Sequence, residues 1–188
     1  MAEHGRETAT HVYFLRGPFS QWYPSRFSAP ITQDGLCLTF NCAEQYMMAS
    51  KAALFGDSET LAQIMAVQPD GRSFHHVPLQ QKALGRQVRG FIDATWHEVA
   101  RRVVFRGNLA KFSQDAGLRD MLFATGDRVL VEGSAKDRLW GVGIAWDDPA
   151  IEDQTNWRGS NWLGQVLVGV RAALRDASPS GSVPSMPW

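Results

Sequence analysis

The chain has 188 residues, enough for a compact domain with a sizeable core. Its 19 acidic and 19 basic residues cancel, so no excess of charge argues for non-specific attachment to nucleic acid or to a membrane surface. Apolar residues make up 44% and charged residues 20%, ordinary globular values, and no apolar run reaches the ~18 residues that would span a bilayer.

In chain order, residues 1–10 are polar and read as a flexible N-terminus. Residues 11–175 read as one domain, and residues 176–188, rich in Ser, Pro and Gly, as a disordered tail. Strands are predicted over 11–15 and 36–40. A helix is predicted over 44–55, and a second starts at Asp57 and runs through Met65. Residues 69–74 read as loop, and Pro78 suits the first turn of a helix ending at Leu84. A long helix over 89–105 offers Phe91, Trp96, Val99, Val103 and Val104 to the core. Two short helices, 109–112 and 118–123, follow, separated by Gly117. The Gly126-Asp127 turn leads into a strand over 128–132. Residues 161–175 give the clearest amphipathic helix, with Leu163, Val166, Leu167, Val170 and Leu174 at helical spacing. The pattern is α+β, mostly helical with a few short strands.

Cys37 and Cys42 form neither a CxxC pair nor part of a zinc set. Reduced thiols in a cytoplasmic protein are expected, since no leader-like apolar run opens the chain. His75 and His76 are adjacent, lack metal-ligand spacing and read as loop residues. No phosphate-binding loop, dinucleotide fingerprint or nucleophile elbow is present. No metal and no cofactor are expected.

Residues 131–143 (VEGSAKDRLWGVG) carry most of the functional signal. Two acids, two bases and an indole stand among three glycines. Glycine lets the backbone approach another group closely or take positive φ, so this stretch reads as a binding loop. Residues 43–52 (AEQYMMASKA) and 156–164 (NWRGSNWLG) share its character. Together they suggest an aromatic-walled pocket for a small, flat, partly charged ligand. Seven tryptophans exceed what packing usually uses, which favours stacking surfaces.

Glu44 and Lys51 lie two turns apart and share a face of their predicted helix. Glu44 fits a pocket carboxylate, or the N3 position of a capping box begun by Asn41. Lys51 fits a pocket amine, or a lysine whose stem covers apolar surface while its head reaches water. Asp137 and Arg138 fit a carboxylate near a sugar and an arginine near a phosphate, or a turn aspartate with a surface arginine. Trp140 fits core or stacking wall equally. Trp96, mid-helix, has the character of core. Trp157, in a polar loop, is the better stacking candidate. Asn161 fits a base edge or ribose hydroxyl, or the cap of the last helix.

Beyond these readings, the chain resembles the NADAR, or YbiA-like, family from about Val12 to Leu174. The resemblance is carried by GPFSQWYP at 17–24, residues 43–52, LGRQV at 84–88, Trp96, RGNLAKFSQ at 106–114, Thr125-Gly126, residues 131–143 and residues 156–164. Departures are mild: Gly133 stands where alanine is commoner, and Asp115 where asparagine is common.

The resemblance implies a hydrolase that breaks the bond between an anomeric ribose carbon and a base nitrogen. One branch of the family acts on ribosylated pyrimidine intermediates of riboflavin synthesis. The other removes ADP-ribose from guanine bases of nucleic acid or nucleotides. The implied partner is a small ribosylated base or an ADP-ribosylated guanine, with nucleic acid only as a modified substrate. A non-catalytic module that binds ADP-ribose or a nucleotide is the rival. Breaking a C1′–N bond builds positive charge on the ribose and needs an acid for the leaving nitrogen. Glu44 and Asp137 are the expected acid–base pair. Lys51 is the expected nucleophile if the sugar is instead captured as a Schiff base. Trp96, Trp140 or Trp157 would stack on the base, and Arg138 and Arg16 would hold phosphate.

Overall fold

The computed structural model describes residues 5–32, 35–71 and 73–177. Residues 1–4 of the expected flexible N-terminus, and the expected tail from residue 178 on, lie outside the described residues. Six α-helices and five short strands among the described residues make the architecture α+β with helix predominant, as predicted. The chain forms two compact units. One is Gln21–Asp115, and the other joins the residues through Ser20 to those from Ala116 onward.

The Gln21–Asp115 unit opens with an antiparallel pair, β3 (Phe27–Pro30) and β4 (Cys37–Phe40), in which Phe27 faces Phe40 (β1 and β2 precede it in the chain, in the other unit). The short β3 alternates buried Phe27 and Ala29 with exposed Ser28 and Pro30. Its proline and serine hide it from strand propensity. Four helices follow: α1 (Ala43–Leu54), α2 (Ser58–Ala66), α3 (His76–Gly85) and α4 (Asp93–Gln114). Helix α1 packs against all three others and is buried from Ala43 to Ala52. At the far end of α4 the Gln114 amide accepts from Ser28 N–H (2.9 Å) and donates to Ser28 O (2.7 Å), which docks the helix on β3.

Helix α4 differs from the prediction at both ends. It starts at Asp93 rather than residue 89, because Gly90 takes φ 70° and the Arg89 N–H donates to the Asp57 carboxylate (2.9 Å). It then runs unbroken to Gln114, joining the long helix predicted over 89–105 to the short one predicted over 109–112. Gly107 does not end it, because a β-carbon there would collide with the Tyr46 ring of α1. Close packing offsets the ~1 kcal/mol by which glycine disfavours a helix interior. Val104 is buried as predicted, but Phe91 is 39% exposed.

The other unit is built on a three-stranded sheet. β2 (His11–Phe14) pairs antiparallel with β1 (Gly5–Glu7) and parallel with β5 (Val129–Glu132). Strand β1 corrects the expected flexible N-terminus for residues 5–7. The polar segment has no apolar pattern to reveal it. Besides its ladder, it is tied by Arg6 to Glu152 (3.0 Å) and by Glu7 to Arg128 (2.6 Å). Helix α5 (Ala116–Phe123) precedes β5, and two 3-10 turns (Pro149–Glu152, Gln154–Asn156) follow it. The last helix, α6 (Trp162–Asp176), lies on β5 and buries Leu163, Val166, Leu167, Val170 and Leu174, the predicted stripe. Tyr13, Val131, Val142, Ile144 and Ile151 form an apolar core against which Trp146 and Trp157 pack. Among the described residues no helix is long and apolar enough to cross a membrane.

Candidate functional site

Helix α1 carries both a carboxylate and an amine on its buried surface: Glu44 is 5% and Lys51 9% exposed. The capping reading of Glu44 does not hold. The N-cap is Cys42, and the side chain that reaches back to Asn41 N–H is Gln45, through Oε1 at 2.8 Å. Gln45 also donates to Ile64 O (3.0 Å), so it ties the start of α1 to α2. The Glu44 N–H donates to Gln21 O (3.0 Å), and Gln21 Oε1 accepts from Asn108 of α4 (2.8 Å).

Lys51 does not reach out to solvent. Its Nζ donates to Gly85 O at the end of α3 (2.9 Å) and lies 3.9 Å from the Phe91 ring centroid. Burial lowers its pKa from the ordinary lysine value, with Asp93 opposing and Arg86 reinforcing the shift. The neutral amine is thereby favoured, which is the form a nucleophile needs. Trp96, also of this unit, is half-buried in the first turn of α4.

A second buried lysine was not anticipated. Lys111 on α4 is 1% exposed, with its ammonium 5.7 Å from the Tyr23 ring and 5.0 Å from the Phe112 ring. Burial brings its pKa down to about 7. The Cys42 thiol is pushed up to about 12 by burial, with the Glu44 charge adding and the Lys111 charge opposing. These three groups therefore form one electrostatic cluster. Lys111 follows Val104 and Asn108 on one helix face, and that spacing was the available signal. A single lysine in such a stripe reads as solvated until its burial is known.

The Lys111 burial predicts a pH effect on folding. Unfolded, the amine keeps its proton to about 10.5; folded, it releases it near 7. Between pH 7 and 9 the unfolded chain binds more protons, so stability rises with pH, and below 7 the full penalty applies. Above about 9 the raised Cys42 pKa acts in the opposite direction. Lys111→Met should flatten the rise between pH 7 and 9 in urea titrations. An unchanged slope in that variant would contradict the assignment.

In the other unit the glycine-rich stretch folds as a tight loop. Asp137 Oδ1 accepts from Leu139 N–H (3.0 Å) and Trp140 N–H (2.8 Å), and Asp137 O accepts from Gly143 N–H (3.0 Å). Residues 158–163 run beside it, with Arg158, Ser160, Asn161, Trp162 and Leu163 N–H donating to Val142, Arg138, Gly141, Leu139 and Trp140 carbonyls. A β-carbon at Gly159 would collide with Gly141 O and come 2.7 Å from Arg138 Cα. The glycine close approach anticipated for a ligand is thus made, here, by chain against chain.

Two expected ligand residues already have partners within the protein. Asn161 is 3% exposed, adopts φ 51°, accepts from Glu132 N–H (3.0 Å) and donates to Leu130 O (2.9 Å). Both ends of its amide are thereby committed to β5, and it makes no side-chain cap to α6. Trp157 donates its indole N–H to Ile151 O (2.8 Å) and packs, partly buried, on the apolar core. Trp140 is half-buried, edge-to-face with Trp162 (5.6 Å). Arg138, within the loop, and Arg16, after β2, are exposed.

The family model of the NADAR domain matches residues 12–175. The chain belongs to the NADAR family. This NADAR chain is similar to protein irg-1 of Caenorhabditis elegans, 39% identical over 166 residues that cover 83% of this chain and 74% of the other. It is 36% identical over 153 residues to N-glycosidase R617 of Acanthamoeba polyphaga mimivirus, covering 81% and 85%. N-glycosidase YbiA of Escherichia coli K12 is 30% identical over 151 residues, covering 80% and 79%. The solution NMR structure of Escherichia coli YbiA superposes with a TM-score of 0.67 at 26% identity, over 94% of this chain and 91% of that one. The family resemblance read from the motifs is borne out, and so is the fold class.

Proposed function

We propose that this NADAR protein is an N-glycosidase that hydrolyses the bond between an anomeric ribose carbon and a base nitrogen. Relatives named N-glycosidases support the reaction class. The observation that carries the reading is the buried Lys51 amine, held on the same helix as the buried Glu44 carboxylate. A domain that only binds an anionic ligand has no need of a buried amine whose pKa burial lowers.

The substrate we propose is a ribosylated pyrimidine intermediate of riboflavin synthesis. Its base is attached through an amine nitrogen, so the sugar can open to an imine. Lys51 Nζ then adds its lone pair to C1′, the C1′=N π pair moves to the base nitrogen, and one proton passes from Nζ to that nitrogen. Glu44 gives a proton to the base nitrogen, the C1′–N bond breaks with its electron pair leaving on the base, and an imine joins Lys51 to the sugar. Water adds to C1′ and frees the lysine. The zero net charge, with no block of like charge, favours a small molecule over a nucleic acid.

The deciding experiment offers the protein a ribosylated pyrimidine 5-phosphate and, separately, ADP-ribosylated guanosine, and measures free base. Base from the first alone supports the proposed substrate. Base from the second alone moves the activity to ADP-ribosyl glycohydrolysis, and none from either leaves a binding module.

The proposal also gives Asp137 a charge-dependent part in turnover. Asp137→Asn keeps an oxygen for the Leu139 and Trp140 N–H groups, so the loop should hold. Its kcat should fall roughly 10²-fold. Wild-type turnover in the folded variant would make Asp137 a turn residue only.

A further inference from the structure

The Lys51 amine is covered by a short segment with its own anchor. Gly85 O accepts its hydrogen bond at 2.9 Å, and six residues on, the Phe91 ring centroid lies 3.9 Å from Nζ. Phe91 is backed edge-to-face by Phe55, just beyond α1, with ring centroids 5.3 Å apart. Between them Gly90 turns the chain at φ 70°.

The anchor is Asp57. Its carboxylate is 1% exposed and gathers Thr60 N–H (3.1 Å), Thr60 Oγ1 (2.7 Å), Arg89 N–H (2.9 Å) and Arg89 Nη2 (2.8 Å). Two of these bonds cap α2, and the other two pin the residue two before Phe91. Arg89 also reaches Glu59 (3.1 Å). The Arg89 N–H, then the Thr60 hydroxyl, hold the Asp57 carboxyl well below the usual carboxylate range, so it is charged at neutral pH. A four-bond carboxylate joining a helix start to a loop is more than a cap requires.

We propose that residues 85–91 form a fixed cap over the Lys51 amine and that Asp57, acting through Arg89, is the positioning residue that pins it. The inference rests on the reading of Lys51 as the amine that captures the sugar, and it gives that amine its means of staying dry. With the ring in place, the amine has an aromatic face where water would otherwise solvate its charge. Charged groups that act on it are Asp93 of α4, which favours the proton, and Arg86 after α3, which disfavours it. Neither is removed by the variants below. An unpinned segment lets Phe91 swing away and water in.

The test is the pH midpoint of Lys51 acetylation, read by competitive labelling and peptide mass mapping on the full chain. Free Nα-acetyl-lysine amide in the same reaction serves as the reference. In wild type the Lys51 midpoint should lie below that of the reference. Phe91→Ala and Asp57→Asn should raise it by about one pH unit or more, toward an ordinary lysine. Arg89→Gln, which leaves Asp57 free to cap α2, should shift it in the same direction, and it decides the matter if Asp57→Asn does not fold. Phe91→Tyr keeps an aromatic face and should keep the wild-type midpoint. An unmoved midpoint in Phe91→Ala overturns the cap, and an unmoved midpoint in folded Arg89→Gln overturns pinning through the Arg89 guanidinium, which leaves only the backbone bond to Asp57. Borohydride trapping on the same proteins separates the two ideas. Shifted midpoints without any sugar adduct in wild type leave the cap standing and remove Lys51 from the reaction.

Discussion

Lys51→Ala is expected to abolish the sugar adduct that borohydride traps during turnover and to lower kcat by more than ~10³-fold. The size follows from the role. A nucleophile that forms the covalent bond has no substitute on the same helix, since the other residues of α1 offer no second amine. The fold should survive, because Lys51 is held by one backbone hydrogen bond and one ring contact rather than by an ion pair. Removing a buried cation that burial already pushes toward neutrality relieves a desolvation cost of its own. Unfolding of the variant is therefore not the expected cause of inactivity, and circular dichroism checks this directly. The rate should also depend on pH with a defined sign: kcat/KM climbs as pH rises through the lowered Lys51 pKa and levels off above it. A wild-type adduct that persists in Lys51→Ala would place the covalent bond elsewhere. Lys111, the other buried amine of the same unit, would be the next to map.

Glu44→Gln should lower kcat by ~10²- to 10⁴-fold, the usual scale for losing acid–base assistance. Glutamine keeps the size and polarity of the side chain but cannot give a proton to the leaving nitrogen. The structure makes this a clean comparison, because Glu44 is not the residue that caps α1. The N-cap is Cys42, the side chain that reaches back to Asn41 N–H is that of Gln45, and the bond from Glu44 N–H to Gln21 O is made by the backbone and is indifferent to the side chain. The variant should form the trappable Lys51 adduct more slowly than wild type, since the acid acts on the step that releases the base and leaves the imine. Single-turnover base release distinguishes this from slow product release. Full activity in a folded Glu44→Gln protein would remove the carboxylate from the mechanism.

Much of the frame was legible from patterns that burial obeys directly. The α6 stripe of Leu163, Val166, Leu167, Val170 and Leu174 is buried as its periodicity requires. Helix α1 and strands β2 and β5 fall within a residue or so of their predicted limits. Strands β1 and β3 were not legible, because β1 is held by ion pairs of Arg6 and Glu7 without an apolar signature, and β3 interleaves its buried Phe27 and Ala29 with a serine and a proline. The unbroken α4 was not legible either. Gly107 looks like a helix break until the Tyr46 ring is seen to need the space.

At the site the division is of the same kind. Composition, spacing and the family motifs offered Glu44, Lys51 and the 131–143 loop as candidates, because rare residue types in an apolar or glycine-rich setting stand out along one dimension. They could not tell which polar groups already had partners. Asn161, Trp157 and the loop glycines looked available for a ligand, yet hydrogen bonding and close packing commit them to β5, to Ile151 and to the neighbouring strand of chain. Lys111 drew no reading of its own from the sequence and is enclosed. Partnership and burial are properties of atoms brought near one another by folding. A linear string lists the groups that can ionise or bond, and the three-dimensional packing settles which of them keep their water.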